Sequence, residues 1–224
     1  MKIDLSVLLT PSFHQSRVIE KDGSKFVVKC YEGLSGLKWF LISPAFHLSY
    51  PFVTLPEERM RRELDFLTSV SGKVNVPEVM DFDLERKCIV RTFVEGERPR
   101  TAVEYRTVGE ELSKIHSLGY VLGDAKPENF AVSDGKAYLI DAEQAIRSDD
   151  VRLRGWDLAV LFVFASYEVI NNFERFKEIV NAVKHGYSGI EGLARAIFDL
   201  RHASLLALMP PIYQFYLRNA LLSD

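Results

Sequence analysis

Two short apolar runs, Phe130-Ala131-Val132 and Ala137-Tyr138-Leu139-Ile140, flank Ser133-Asp134-Gly135-Lys136. An Asp-Gly pair between β-prone runs signals a tight hairpin, because both residues tolerate the positive φ of a type I′ turn. Antiparallel pairing then decides what meets at the open end: Asn129, entering the first strand, comes beside Asp141, leaving the second. Just upstream, Gly123-Asp124-Ala125-Lys126-Pro127-Glu128-Asn129 adds a second carboxylate and an ammonium. Oxygen donors of this kind suit a hard divalent cation carrying a phosphate.

The run G-D-A-K-P-E-N followed by L-I-D resembles the catalytic loop and metal-binding Asp of the protein-kinase-like superfamily. The resemblance implies an α+β, two-lobed fold. A small antiparallel-sheet lobe with one main helix would span residues 1–94 and a larger, mostly helical lobe residues 95–224. It further implies that Asp124 acts as catalytic base and that Lys126 neutralises the moving phosphoryl group. Asn129 and Asp141 would hold Mg²⁺ or Mn²⁺, with ATP as the donor.

Upstream, Arg17-Val18-Ile19-Glu20 and Lys25-Phe26-Val27-Val28-Lys29-Cys30-Tyr31 flank a second Asp-Gly turn, at Asp22-Gly23. Period-2 alternation puts Val27, Lys29 and Tyr31 on one face, so Lys29 is a cation on an otherwise apolar strand. It resembles the strand lysine of kinases that contacts nucleotide phosphates. Thr54-Leu55-Pro56-Glu57 has the pattern of a capping box opening a helix to about Val70, with Met60, Glu63, Leu64 and Leu67 on one stripe. A carboxylate on a buried stripe wants a cation, and Lys29 is the available one. In the resemblance Glu63 fixes Lys29, and the backbone groups of Thr92 and Val94 meet the adenine edge.

Other features depart from the usual pattern. Thr10 to Ser16 contain no glycine where a phosphate-covering loop is expected, leaving the hydroxyls of Ser12 and Ser16 as its donors. The connection Gly33 to Pro56 is long and aromatic; it reads as packing against the small lobe, or else as a protein-partner surface. His116 falls on a helical stripe that ends at Leu118-Gly119 and reads as a packed histidine. Asp157 reads as the N-cap of a very apolar helix, and the resemblance gives it a structural role beneath the catalytic loop. Asn172 to Asp224 reads as three helices broken near His185-Gly186-Tyr187 and Met209-Pro210-Pro211.

A net charge of −3 gives no global basic field, so nucleic acid is not favoured as a partner. Cys30 and Cys88 have no metal spacing and read as separate, small buried residues in a reducing compartment. Neither a signal peptide nor a membrane-length apolar run is present, and the expected setting is cytoplasmic.

Within the superfamily, the R-R-E-L helix, the V-E-G hinge and H-S-L-G-Y-V-x-G-D resemble the RIO and Bud32-type (KEOPS-associated) atypical kinases. D-A-E stands where D-F-G is usual, and the C-terminus lacks a basic tail. The run G-x-x-x-G-D-x-K-P-x-N-F is also shared with lipopolysaccharide-core sugar kinases. The implied function is an atypical Ser/Thr protein kinase acting on a hydroxyl acceptor. The alternatives are a small-molecule or sugar kinase and a pseudokinase or nucleotide-binding scaffold.

Overall fold

The computed structural model describes residues 15–31 and 37–222. The expected phosphate-covering donor Ser12 and the start of the Gly33 to Pro56 connection lie outside them. Strands β1 (Ser16–Lys21) and β2 (Ser24–Cys30) form the first hairpin, with Asp22 and Gly23 at φ 53° and 74° as the turn requires. With β3 (Val79–Asp83) and β4 (Cys88–Thr92) they make an antiparallel sheet in the order β1-β2-β4-β3. Between β2 and β3 run α1 (Leu37–Phe46) and α2 (Pro56–Val70).

The register pairs Val27 with Arg91 and Lys29 with Ile89, so these four share a sheet face. Phe26, Val28 and Val90 cluster on the opposite face, whereas Tyr31 and Ile89 pack against Met60 of α2. The helix therefore covers the Lys29 face, as the stripe predicts. It begins later than its capping pattern suggests: Leu55 is the N-cap, Pro56 opens the helix, and no side chain caps it. Proline at the first helical position sets the start, because its φ is already helical and its missing N–H needs no partner.

The remainder is mainly helical. It comprises α3 (Ala102–Ser117), β5 (Tyr120–Val121), β6 (Phe130–Ser133), β7 (Lys136–Leu139), β8 (Ile146–Arg147), α4 (Val151–Glu168), α5 (Phe173–Gly186), α6 (Ile190–Ile197), α7 (Ala203–Leu206) and α8 (Pro211–Leu222). The Thr101/Glu104 capping box of α3 forms with both reciprocal bonds, and Gly119 follows the helix at φ 76°. Two expectations change. Asp150, not Asp157, caps α4, leaving Asp157 fully buried inside the helix; and the middle of the predicted three C-terminal helices is divided, because the short turn Leu200–His202 adds a break.

Cys30 and Cys88 are also not separate thiols. They are paired across β2 and β4 with Cα atoms 4.1 Å apart and are joined by a disulfide. Residues 58 positions apart carry no spacing signal for this; strand order alone makes them neighbours.

The aromatic connection packs mainly on the helical part rather than on the sheet. Phe46 and Phe52 lie 5.4 and 5.9 Å from Trp156 of α4 between ring centroids, and the Ser49 hydroxyl donates to the Arg201 carbonyl. Phe40, Leu41 and Leu48 stay exposed.

Candidate functional site

The β6–β7 hairpin forms with Asp134 and Gly135 at φ 48° and 71°. Its register pairs Phe130 with Leu139, and the Ile140 N–H donates to the Asn129 carbonyl at 2.8 Å. Ile140 is thus the residue directly opposite Asn129, and Asp141 is the next residue at the same open end. The Asn129 side-chain amide donates to the Asp124 carbonyl at 2.6 Å. With its N–H group spent on the loop, the amide oxygen is what Asn129 offers a cation. Lys126 Nζ lies 3.2 Å from Asp124 Oδ2. Burial works to lower the Lys126 pKa, but the Asp124 carboxylate outweighs it and holds the pKa above its ordinary value, so the side chain is an ammonium.

Asp157 carries this loop from beneath. Its carboxylate accepts from the backbone N–H of Leu122 at 2.6 Å and of Gly123 at 2.7 Å, and its Oδ2 is 3.0 Å from His116 Nε2. His116 Nδ1 in turn meets the Tyr187 hydroxyl at 2.6 Å, which makes it the packed histidine expected. The Trp156 indole donates to the Gly123 carbonyl at 2.8 Å. Gly123 has φ 75°, and a Cβ there would fall 2.4 Å from the Tyr50 ring. The loop can turn sharply against the aromatic connection only because that residue is glycine.

Above the loop, Lys29 and Glu63 meet as predicted, inside a larger network. Lys29 Nζ lies 2.5 Å from Glu63, 2.9 Å from Asp141 and 3.5 Å from Glu143. Glu63 also accepts from the Tyr31 hydroxyl and from Arg91 Nη1 at 2.8 Å. Glu143 accepts from Arg59 Nη2 at 2.7 Å, from the Trp39 indole and from Gln15. Burial pushes the Lys29 pKa down, yet the carboxylates of Asp141, Glu63 and Glu143 together raise it above the ordinary value, so Lys29 is charged. Glu63, Asp141 and Glu143 each bring a carboxylate oxygen within 4.8 Å of the others. Lys29 already sits among them, and Arg59 and Arg91 complete the charge balance, so the cluster is an ion-pair network rather than a cation site.

Sequence reasoning missed Glu143, Arg59 and Arg91. Arg91 carries the signal used for Lys29, a charge inside an apolar strand; Arg59 lies beside Met60 on α2; Glu143 has no local signal.

A cavity of about 280 Å³ opens between sheet and hairpin, with Val27, Arg91, Thr92, Val94, Asn129 and Asp141 in its wall. It brings the predicted hinge residues and the predicted metal ligands to one space. Thr92 is partly committed elsewhere: its N–H donates to the Glu78 carbonyl at 2.9 Å, so it has none left for an adenine edge. Asp124 and Lys126 are not in its wall; their loop is tied to it by the Asn129 bond to the Asp124 carbonyl.

A sheet part and a helical part, with a cleft lined by Asn129 and Asp141 and with Lys29 paired to Asp141, define a protein-kinase-like fold. No protein-family model matches the chain. It is 33% identical over 150 residues to the KEOPS complex subunit Bud32 of Pyrococcus abyssi, covering 62% of this chain and 66% of that protein. It is also 33% identical over 136 residues to a probable bifunctional tRNA threonylcarbamoyladenosine biosynthesis protein of Methanoculleus marisnigri, covering 59% of this chain and 25% of that one. The chain thus spans just under two thirds of the first relative and a quarter of the second. Among solved structures, macrolide 2′-phosphotransferase MphH from Brachybacterium faecium superposes with a TM-score of 0.50 at 13% identity, over 94% of this chain and 90% of that one. In sequence the chain is thus similar to Bud32, and in fold it is protein-kinase-like.

Proposed function

We propose that the chain is an ATP-dependent phosphotransferase, an atypical Ser/Thr protein kinase of RIO/Bud32 type, divided near residue 94 into a nucleotide-binding and a catalytic lobe. The observation that carries this reading is that Asn129 and Asp141 line one cleft, that the buried Lys29 pairs with Asp141, and that the loop holding Asp124 and Lys126 is bonded to Asn129. Asp124 accepts the acceptor's hydroxyl proton as that oxygen bonds to the γ-phosphorus and the bond to the β-phosphate oxygen breaks. Lys126 offsets charge on the moving group, Lys29 holds the α- and β-phosphates, and Glu63 fixes Lys29. Val94 supplies a backbone donor to the base beside Thr92.

Asn129 and Asp141 suit Mg²⁺ or Mn²⁺: one offers an amide oxygen and the other a part-exposed carboxylate, both hard donors. When bound, the metal would neutralise phosphate charge. Nucleotide binding should therefore require it. Thermal stabilisation by ADP should grow when Mg²⁺ or Mn²⁺ is added, and a shift indifferent to metal counts against the assignment.

The names of the relatives favour a protein acceptor or partner within an assembly; the exposed side chains of α1 and the following turn, Phe40, Leu41 and Leu48, are where we place such a contact. No helix among the described residues is long and apolar enough to cross a membrane, and we place the chain in the cytoplasm. A small-molecule or sugar acceptor is the second reading, favoured by α4 beginning at Val151, which leaves a short segment after Asp141 for seating a peptide. Phosphotransfer from labelled ATP to a protein panel and a sugar panel separates the two.

Gly123 stands where many regulated kinases have an arginine that reads a phosphate on this segment. Ser148 is the only hydroxyl between Ala142 and Arg154, and its Oγ accepts from the Asp150 N–H at 3.1 Å. Ser148→Ala should leave the transfer rate within about twofold, measured in the same assay. A loss beyond that would mean the segment is regulated by its hydroxyl.

A further inference from the structure

We infer that Gln144 is a positioning residue for the carboxylate of Asp141, and that the aromatic connection holds it in place. The inference rests on the metal-binding reading above and adds what sets the direction of that carboxylate. Among the described residues, both bonds to the Asp141 side chain fall on one oxygen: Oδ1 lies 2.9 Å from Lys29 Nζ and accepts from the Glu143 N–H at 3.3 Å. Oδ2 is left for a cation, and Asp141 lines the cavity. Where Oδ2 points therefore depends on where the Glu143 N–H points.

That N–H belongs to a tight turn. The Ala145 N–H donates to the Ala142 carbonyl at 2.9 Å, so Glu143 and Gln144 are its corner residues, and both are buried. The connection grips the second corner. The Val53 N–H donates to Gln144 Oε1, and Gln144 Nε2 donates to the Val53 carbonyl, both at 2.9 Å, as a paired strand residue would. The Gln144 main-chain carbonyl accepts from the Tyr50 hydroxyl at 2.7 Å and from Arg62 Nη1 of α2 at 3.3 Å. The Tyr50 hydroxyl also lies 3.3 Å from the carbonyl of Val121, in the strand that leads to the Asp124 loop. A buried amide needs partners, and this residue finds all four of its bonds outside its own turn. Groups that orient a ligating carboxylate govern metal affinity without touching the ion. Released from Val53, the Glu143–Gln144 peptide is free to rotate, and Oδ2 turns with it.

Calorimetric titration of the full chain with ADP, in Mg²⁺ and in EDTA, tests this. The readout is the factor by which Mg²⁺ tightens ADP binding, a ratio within one protein that is independent of the folded fraction. Gln144→Met keeps the side-chain volume and removes the amide; the factor should fall about tenfold from the wild-type value, with the metal-free affinity unchanged within about twofold. Tyr50→Phe, which loses only a hydroxyl, should lower it about threefold. Tyr213→Phe is the control. Its buried hydroxyl also donates to two carbonyls, those of Val169 and Ile170 beyond the end of α4, and its loss should leave the factor within about twofold. A wild-type factor in Gln144→Met, or an equal fall in Tyr213→Phe, overturns the inference and leaves the metal-binding reading intact. A metal-free affinity that falls as far as the affinity in Mg²⁺ also overturns it, because Gln144 would then shape the cleft rather than aim Asp141. Should Gln144→Met fail to fold, Tyr50→Phe decides by the same criteria. If Mg²⁺ does not tighten ADP binding to the wild-type chain, this inference and the metal-binding reading fall together.

Discussion

Asp124→Asn should lower turnover by roughly two orders of magnitude or more, the scale of losing a catalytic base, with nucleotide affinity nearly unchanged. The fold gives the variant little reason to misbehave otherwise. Asp157 holds the loop through the N–H groups of Leu122 and Gly123, and Asn129 bonds the main-chain carbonyl of Asp124 rather than its carboxylate. Asparagine keeps the shape and an oxygen for Lys126 but cannot take a proton from the acceptor. Steady-state kinetics beside nucleotide titration gives the answer: a native rate would mean that Asp124 is not the base, and a parallel loss of affinity would mean that it acts in binding.

What could be read in the sequence was local or periodic. The two Asp-Gly hairpins, the helical stripe that ends at Leu118-Gly119 and the Lys29 strand face follow from neighbours in the chain, and all of them form. Pairing Lys29 with Glu63 was one step longer, since it needed α2 to cross the sheet, but the charge on each apolar stripe made each the natural partner of the other. Arg91 bears that same mark inside Cys88-Ile89-Val90-Arg91-Thr92 and passes unnoticed only because one cation had already been found for Glu63. Other features depend on strand order or on packing between distant segments, such as the bond between Cys30 and Cys88 and the seating of Tyr50 beneath Gly123. No periodicity encodes these. The β6–β7 register is the one the Asp134-Gly135 turn sets, with Val132 opposite Ala137 and the open end at Asn129 and Asp141.

Glu143→Ala should produce the larger loss of stability, about 3–5 kcal/mol, because it removes a fully buried carboxylate that pairs with the fully buried Arg59 and lies 3.5 Å from Lys29. Truncation also removes the acceptor for the Trp39 indole and for Gln15, which tie the aromatic connection and the start of β1 to the site. Lys29 keeps Glu63 and Asp141, so the charge that would meet phosphates persists. For a chain of this size the penalty corresponds to a fall in the melting temperature of roughly 10 °C. The control is the double variant Arg59→Met/Glu143→Ala. Removing both members of the pair leaves no guanidinium facing a lost carboxylate, so the double variant should recover part of the single variant's loss. It should also still show metal-dependent stabilisation by ADP, since neither residue is among those proposed to hold nucleotide or metal. If the two substitutions simply add, Arg59 and Glu143 are not energetically coupled, and the pair only fills space behind Lys29. If instead stability recovers while nucleotide binding is lost, Glu143 sets the position of Lys29 or Asp141, and the glutamate at this point of the loop belongs to the binding site itself.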